Sequence, residues 1–392
     1  MAAVTTQGSN QSKTIGLFDF LKLTNLQHIP LVANGNTIFA DGATITFQQP
    51  PTGLLSRIFF SITGTITVSG TVTGGTWNTW TPAPFGLVPN MQLVNNQNVQ
   101  LRSHSLWGFY TWYRERYGID AYTAGSTTYT STANAILGIG VPSIIPGAAV
   151  TATTYNVALQ FVMPIAYNER METGLLILQN NNINYPLQFR CGALAAGIST
   201  TGGSNDLFTG LTGTSLAITN TLSFQATAEI ASIPVLPQGY DNTPRSNMFL
   251  SVLEQSGPLL QAGTNQIVVP ISDTYTMMMF QVINNGAPIN SNKISNIQFQ
   301  YGGNNFKFSD TINSNLGFDY ISKKLAPVDG SFIFDMGHVN GLINQRETYG
   351  SFNDQRVTGL QVNYNLPTTG FTPTGTNYTN CIYESLRNVT QV

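Results

Sequence analysis

TTYNVALQFVMPIAYNERMETGLLILQNNNINYPLQFRC, residues Thr153 to Cys191, decides how this chain is read. From Tyr155 to Tyr167 β-branched and aromatic residues dominate, and Val157, Leu159 and Phe161 alternate with Ala158, Gln160 and Val162. That period of two predicts a strand buried mainly on one face. Pro164 has no N–H to give a ladder, so it marks the strand's end, or an edge or bulge. Asn168 is placed to cap a short helix through Glu169, Arg170, Met171 and Glu172, with carboxylates where the helix dipole favours them. Leu175, Leu176 and Leu178 continue at helical spacing, Asn180-Asn181-Asn182 ends the run, and Leu187 and Phe189 begin a second strand. A strand, a crossover helix and a strand stand inside a chain that otherwise reads as β.

Composition sets the wider frame. The 392 residues are enough for two domains with full cores. Only 9% are charged, against roughly a quarter in ordinary soluble domains. The net charge of −2 offers no basic field for nucleic acid and no acidic tail. A charge-poor surface fits a protein whose surface becomes interface, because interface cores exclude charged side chains. It fits equally a secreted or surface carbohydrate-binding β-sandwich, for which Trp77 and Trp80 are the candidate aromatic platform. No secretory leader opens the sequence, and no apolar run approaches the roughly 20 residues of a spanning helix.

Outward from the central stretch, strands are expected on both sides. Ala43–Gln48 and Leu55–Ser69 alternate, with Gly64 predicting a bulge or bend; residues 70–84 and 192–215 read as loops. Met91–Val94 and Val99–Arg102 form a hairpin about Asn95–Asn98. His104–Tyr117 is the most aromatic segment: Leu106, Phe109, Tyr110 and Tyr113 make a helical face, and Arg114, Glu115 and Arg116 close it with a polar end. Residues 118–152 form a long, weakly patterned connection, and 233–246, with three prolines, is the best domain boundary. Beyond it come strands at Gln266–Ile271, Tyr275–Ile283, Ile294–Tyr301, Ser331–Met336, Val357–Asn365 and Asn380–Leu386, and a helix over Thr311–Leu325. Met277-Met278-Met279 is expected to fill core.

The sequence carries no catalytic constellation. His28, His104 and His338 stand in separate contexts without metal-ligand spacing, and no GxSxG, Walker A or HExxH pattern occurs. Glu169 and Glu172 are explained by the start of a helix. Cys191 and Cys381 read as buried, unpaired thiols. No enzyme activity, cofactor or metal is expected.

The order of elements resembles the double jelly-roll major capsid proteins of tectivirus-like, membrane-containing, tailless bacteriophages. Three segments carry the likeness. Phe85-Gly86, the hairpin and the helix from His104 look like that family's first-domain segment. The strand ending Met163-Pro164-Ile165-Ala166-Tyr167, with Thr173-Gly174 after it, looks like its strand–helix–strand unit. Asn284-Asn285-Gly286, the hairpin to Phe308 and the helix before Pro327 look like its second domain. The resemblance implies an all-β chain of two tandem eight-stranded jelly-roll barrels with a few short helices. Residues 31–237 would form the first barrel and 238–392 the second. It also implies pseudo-hexagonal homotrimers that tile an icosahedral virion over an internal membrane after assembly in the host cytoplasm. Penton, vertex and minor capsid proteins would be partners, with no direct nucleic-acid binding.

Residues 1–30 then form an N-terminal arm. Lys13, Leu17, Phe18, Phe20, Leu21 and Lys22 are its candidate contact residues, because an apolar cluster beside lysines suits an anionic membrane surface or a neighbouring subunit.

Overall fold

The computed structural model describes residues 13–14, 25–77, 85–96, 99–117, 152–166, 175–178, 184–232, 240–242, 248–270, 274–301, 304–306, 328–335, 352–353 and 360–388. Seven strands precede the aromatic helix Leu106–Tyr117: β1 Lys13–Thr14, β2 Asn25–Pro30, β3 Val32–Ala33, β4 Thr44–Gln48, β5 Leu54–Trp77, β6 Asn90–Val94 and β7 Gln100–His104. Then come β8 Ala152–Pro164, β9 Leu176–Ile177, β10 Leu187–Arg190, β11 Ile198–Ser199, β12 Gly202–Gly203, β13 Phe208–Asn220 and β14 Ser223–Ser232. The remainder supplies β15 Tyr240–Asn242, β16 Met248–Ser256, β17 Gly263–Val268, β18 Thr274–Asn284, β19 Ala287–Pro288 and β20 Ser295–Tyr301. The last are β21 Asn304–Phe306, β22 Ser331–Asp335, β23 Phe352–Asn353, β24 Gln361–Leu366 and β25 Tyr378–Asn388.

Two barrels of eight main strands result. In the first, β8, β5, β14 and β2 face β4, β10, β6 and β7 across a core that includes Phe60, Leu159, Phe224, Phe47, Met91 and Phe189. In the second, β16, β25, β18 and β22 face β17, β24, β20 and β21, around Phe280, Tyr383, Phe332, Val362 and Phe299. Alternation in the sequence becomes alternation in space: Val157, Leu159 and Phe161 are buried while Asn156 and Gln160 are exposed.

The barrels share a sheet. Strand β7 of the first runs parallel to β16 of the second, with Arg102 opposite Val252 and Ser103 opposite Leu253. One 11-stranded sheet therefore crosses from barrel to barrel.

Several expectations change. Leu176 and Ile177 are not helical; they pair antiparallel with Leu55 and Leu54. Leu175, Leu176 and Leu178 are all buried, and burial on both faces of a short strand imitates helical spacing. The expected cap and first turn at 168–174 lie outside the described residues, as do 118–151 and the helix over 311–325. Gly70–Trp77 is strand, not loop, because β5 continues there against β13, with register shifts between Thr209 and Ala217. Half of 192–215 is likewise ordered into β11, β12 and the start of β13. Gly64 is no bulge, since β8 passes it in unbroken register from Arg57 to Ser69. It is the point where one edge of β5 passes from β14 to β13. Its φ is +144°, and a Cβ there would meet the Thr221 carbonyl oxygen at 2.5 Å.

Candidate functional site: the buried seam between the barrels

The helix Leu106–Tyr117 begins where Ser105 caps it: the Ser105 hydroxyl accepts from the Gly108 N–H at 2.9 Å. Glu254, from β16 of the other barrel, accepts from the Ser105 N–H and from the Asn380 side-chain amide. A carboxylate at this end complements the helix dipole. Gly108 makes room for it, because a Cβ there would meet Glu254 Oε2 at 2.3 Å.

Every residue from Leu106 to Arg116 is buried. This corrects the reading of Arg114, Glu115 and Arg116 as a solvated polar end. One side of the helix packs on the first core through Phe109, which touches Phe60 and Phe161. The other meets the second barrel's shared-sheet face. There the Trp107 indole N–H donates to Gln281 Oε1 at 3.2 Å, and the Trp112 indole N–H to Glu384 Oε2 at 2.7 Å.

Several charged side chains are buried at the seam. Glu384 is fully buried; it pairs with Arg116 at 2.8 Å and accepts from the Thr276 hydroxyl at 2.6 Å. Arg116 and Arg102 also lie against the Trp112 ring, at 5.6 and 5.7 Å from its centre. Arg102 donates to the carbonyls of Leu101, Leu250 and Pro164, and so ties β7 to β16 and to the end of β8. Arg114 pairs with Glu115 at 3.2 Å. Removing one member of such a set strands a buried charge, which costs about 3–5 kcal/mol.

No protein-family model matches the sequence, and comparison with curated proteins gives no match. Solved structures do match, along nearly the whole chain. The STIV MCP superposes with a TM-score of 0.61 at 14% identity, over 93% of this chain and 97% of that one. The PBCV-1 virus capsid gives 0.58 at 12% identity, over 93% of each chain. The Faustovirus major capsid protein gives 0.55 at 10% identity, over 93% and 90%.

The fold is that of the double jelly-roll capsid proteins.

Within this double jelly roll, burial sets the state of several titratable side chains. Burial, and then Arg102, lower the pKa of His104 to about 3, so its imidazole is neutral. Cys191 and Cys381 are free and buried, and desolvation pushes the Cys381 thiol up to about 12. Among the described residues no cluster of His, Cys, Asp or Glu could hold a metal. A cavity of about 290 Å³ opens at the seam beside Glu254, Asp206, His104 and Trp107. Its two carboxylates are already engaged by Ser105, Asn380 and Ala193.

Of the residues expected in the arm, Lys13 lies in β1, which pairs in parallel with Tyr240–Asn242. Leu17, Phe18, Phe20, Leu21 and Lys22 lie outside the described residues, as do Glu169, Glu172, His338 and Trp80. Asn25–Pro30 forms β2 against Thr227–Ser232. There His28 and Arg57 both pair with Glu229, at 3.0 and 2.7 Å. The seam residues Arg102, Glu254, Gln281 and Glu384 were not singled out from the sequence. Gln281 carried a signal, as a polar residue inside the apolar run Met277–Ile283.

Proposed function

We propose that this protein is the major capsid protein of a tectivirus-like, membrane-containing tailless virus, a structural subunit and not an enzyme. The observation that supports this most is that the likeness takes in both barrels together, spanning 97% of the STIV MCP. Two similar barrels per chain give a trimer six-fold pseudo-symmetry, which tiles a facet with few kinds of contact. A rigid seam keeps the two barrels of each tile in one geometry. A surface poor in charge avoids repeating one repulsion at every identical contact.

In this reading the trimers assemble in the host cytoplasm into the virion shell, and meet penton, vertex and minor capsid proteins at its corners and joints. The arm lies on the inner side, with Leu17, Phe18, Phe20 and Leu21 against the membrane or a neighbouring subunit and Lys13 and Lys22 towards head groups. Each lysine contributes only about 1 kcal/mol at an anionic surface. Attachment therefore depends on many trimers acting together. The test is assembly on anionic vesicles followed by electron microscopy. Full-length protein is expected to coat the vesicles with an ordered lattice, while protein lacking residues 1–23 remains soluble and leaves them bare. Full-length trimers that never form a lattice would overturn the capsid reading. An equally good coat from the truncated chain would overturn the role of the arm.

A further inference from the structure

We infer that the outer face of the first barrel, around Phe59 and Val162, is where a second copy of this chain docks with its second barrel. The inference rests on the reading of the chain as a tile of three copies, and names a surface that joins them. It starts from a repetition between the barrels. Strands β14, β5 and β8 lie side by side in the first barrel as β25, β18 and β22 do in the second. On the side of the second barrel's sheet that meets the helix Leu106–Tyr117, Ile382, Met279 and Ile333 form one row across those strands. Asn380, Gln281 and Ser331 form the next. The outer side of the first barrel's sheet carries the same sequence of rows: Thr227, Phe59 and Val162, then Gln225, Ser61 and Gln160. Each apolar row is thus followed by two amides and a serine. One step the other way, each central strand carries a buried carboxylate, Glu384 on β25 and Glu229 on β14.

What differs is burial. Met279, Gln281, Ile333 and Ile382 are buried, and Gln281 accepts from Trp107 of the docked helix. Phe59, Val162 and Thr227 are only half-buried, and Gln160 and Gln225 are exposed. With Ser61 they line a hollow of about 330 Å³ that has no charged side chain in its wall. The carboxylate beside it is already matched, because Glu229 pairs with Arg57 and His28. An apolar centre with a polar uncharged rim marks a protein contact. The contact within the chain shows what such a face receives: a crossing from the other barrel, there the one between β7 and β8. Its counterpart in chain order runs from β21 to β22 of the second barrel, so the second barrel of another copy is the occupant. That contact joins unlike surfaces, so copies add head to tail, and three of them close a ring.

Cross-linking of the full chain tests this. Both cysteines are buried, so Gln160→Cys places one accessible thiol at the rim of the hollow. Carrying a thiol-attached photocrosslinker, it is expected to give a two-chain species in which residue 160 is joined to peptides from residues 238–392. Links between copies that run to first-barrel peptides, or no links between copies in a protein that sediments as a trimer, would overturn the inference and leave the tile reading standing. A wild-type chain that sediments as a monomer would overturn both. Phe59→Lys gives a second readout. It should keep the wild-type circular dichroism while its trimer dissociates at a protein concentration at least about tenfold higher than wild type's. Gln160→Lys, at an exposed position outside the core, should shift dissociation in the same direction. Trimers of both lysine variants as tight as the wild type's would overturn the inference.

Discussion

Met278, Phe280 and Val282 point from one side of β18 into the second barrel's core, among Phe332, Phe334 and Tyr383. Met277 and Met279 point the other way into the first barrel's core, and Gln281 on that side accepts from Trp107. Both sides are buried, but they are built on different principles. The second core buries neutral hydroxyls, as where those of Tyr364 and Thr379 share a bond of 2.6 Å. The seam instead buries whole charges, Arg102, Arg116 and Glu384 among them. An apolar core tolerates truncation in proportion to the volume lost. A charged seam responds to the identity of a single atom, because an unmatched buried charge has nowhere to go.

Substitutions in the two regions test that contrast. Arg102→Met leaves the Leu250 and Pro164 carbonyls without this donor and should cost about 3–5 kcal/mol in denaturant unfolding. Met278→Ala, in the apolar core, should cost about 2–4 kcal/mol, with a size that follows the cavity left behind. Trp112→Phe keeps the ring but drops the bond to Glu384, at about 1–3 kcal/mol. Tyr364→Phe removes a bond between neutral groups and should cost about 1 kcal/mol. A larger loss from Tyr364→Phe than from Trp112→Phe would erase the distinction between the two regions.

Acid sharpens the same comparison. His104 has a folded pKa of about 3, below the ordinary value of 6.5. Between those values the unfolded chain binds the proton and the folded one does not, so stability rises with pH across the window and falls on acidification. His104→Asn should reduce the slope of stability against pH between about 4 and 6 by up to one proton. An unchanged slope would mean that the imidazole is not held neutral at the seam.

What the sequence made legible follows from where its signals are generated. Alternation along Val157–Phe161 reports one buried face directly, and β8 lies where that pattern put it, ending at Pro164. The resemblance to double jelly-roll proteins was carried by element order, which survives at identities too low for matched residues. The helix was legible as a helix but not in its surroundings. Arg114, Glu115 and Arg116 looked solvated because residues close in sequence gave no reason to bury them. Their surroundings come from Glu384 and from β16 and β18, more than a hundred residues away. Gly70–Trp77 was misread for a related reason: glycines weaken a local strand signal, and the pairing that overrides it comes from Phe208–Asn220.

The proposed role as a capsid tile is open to mass measurement of the purified native protein by analytical ultracentrifugation. A species of three chains is expected, intact both in dilute buffer and at about 1 M salt, where the Debye length is roughly 3 Å and charge attraction is screened out. A monomer under both conditions, or a trimer that falls apart to monomers at high salt, would contradict it.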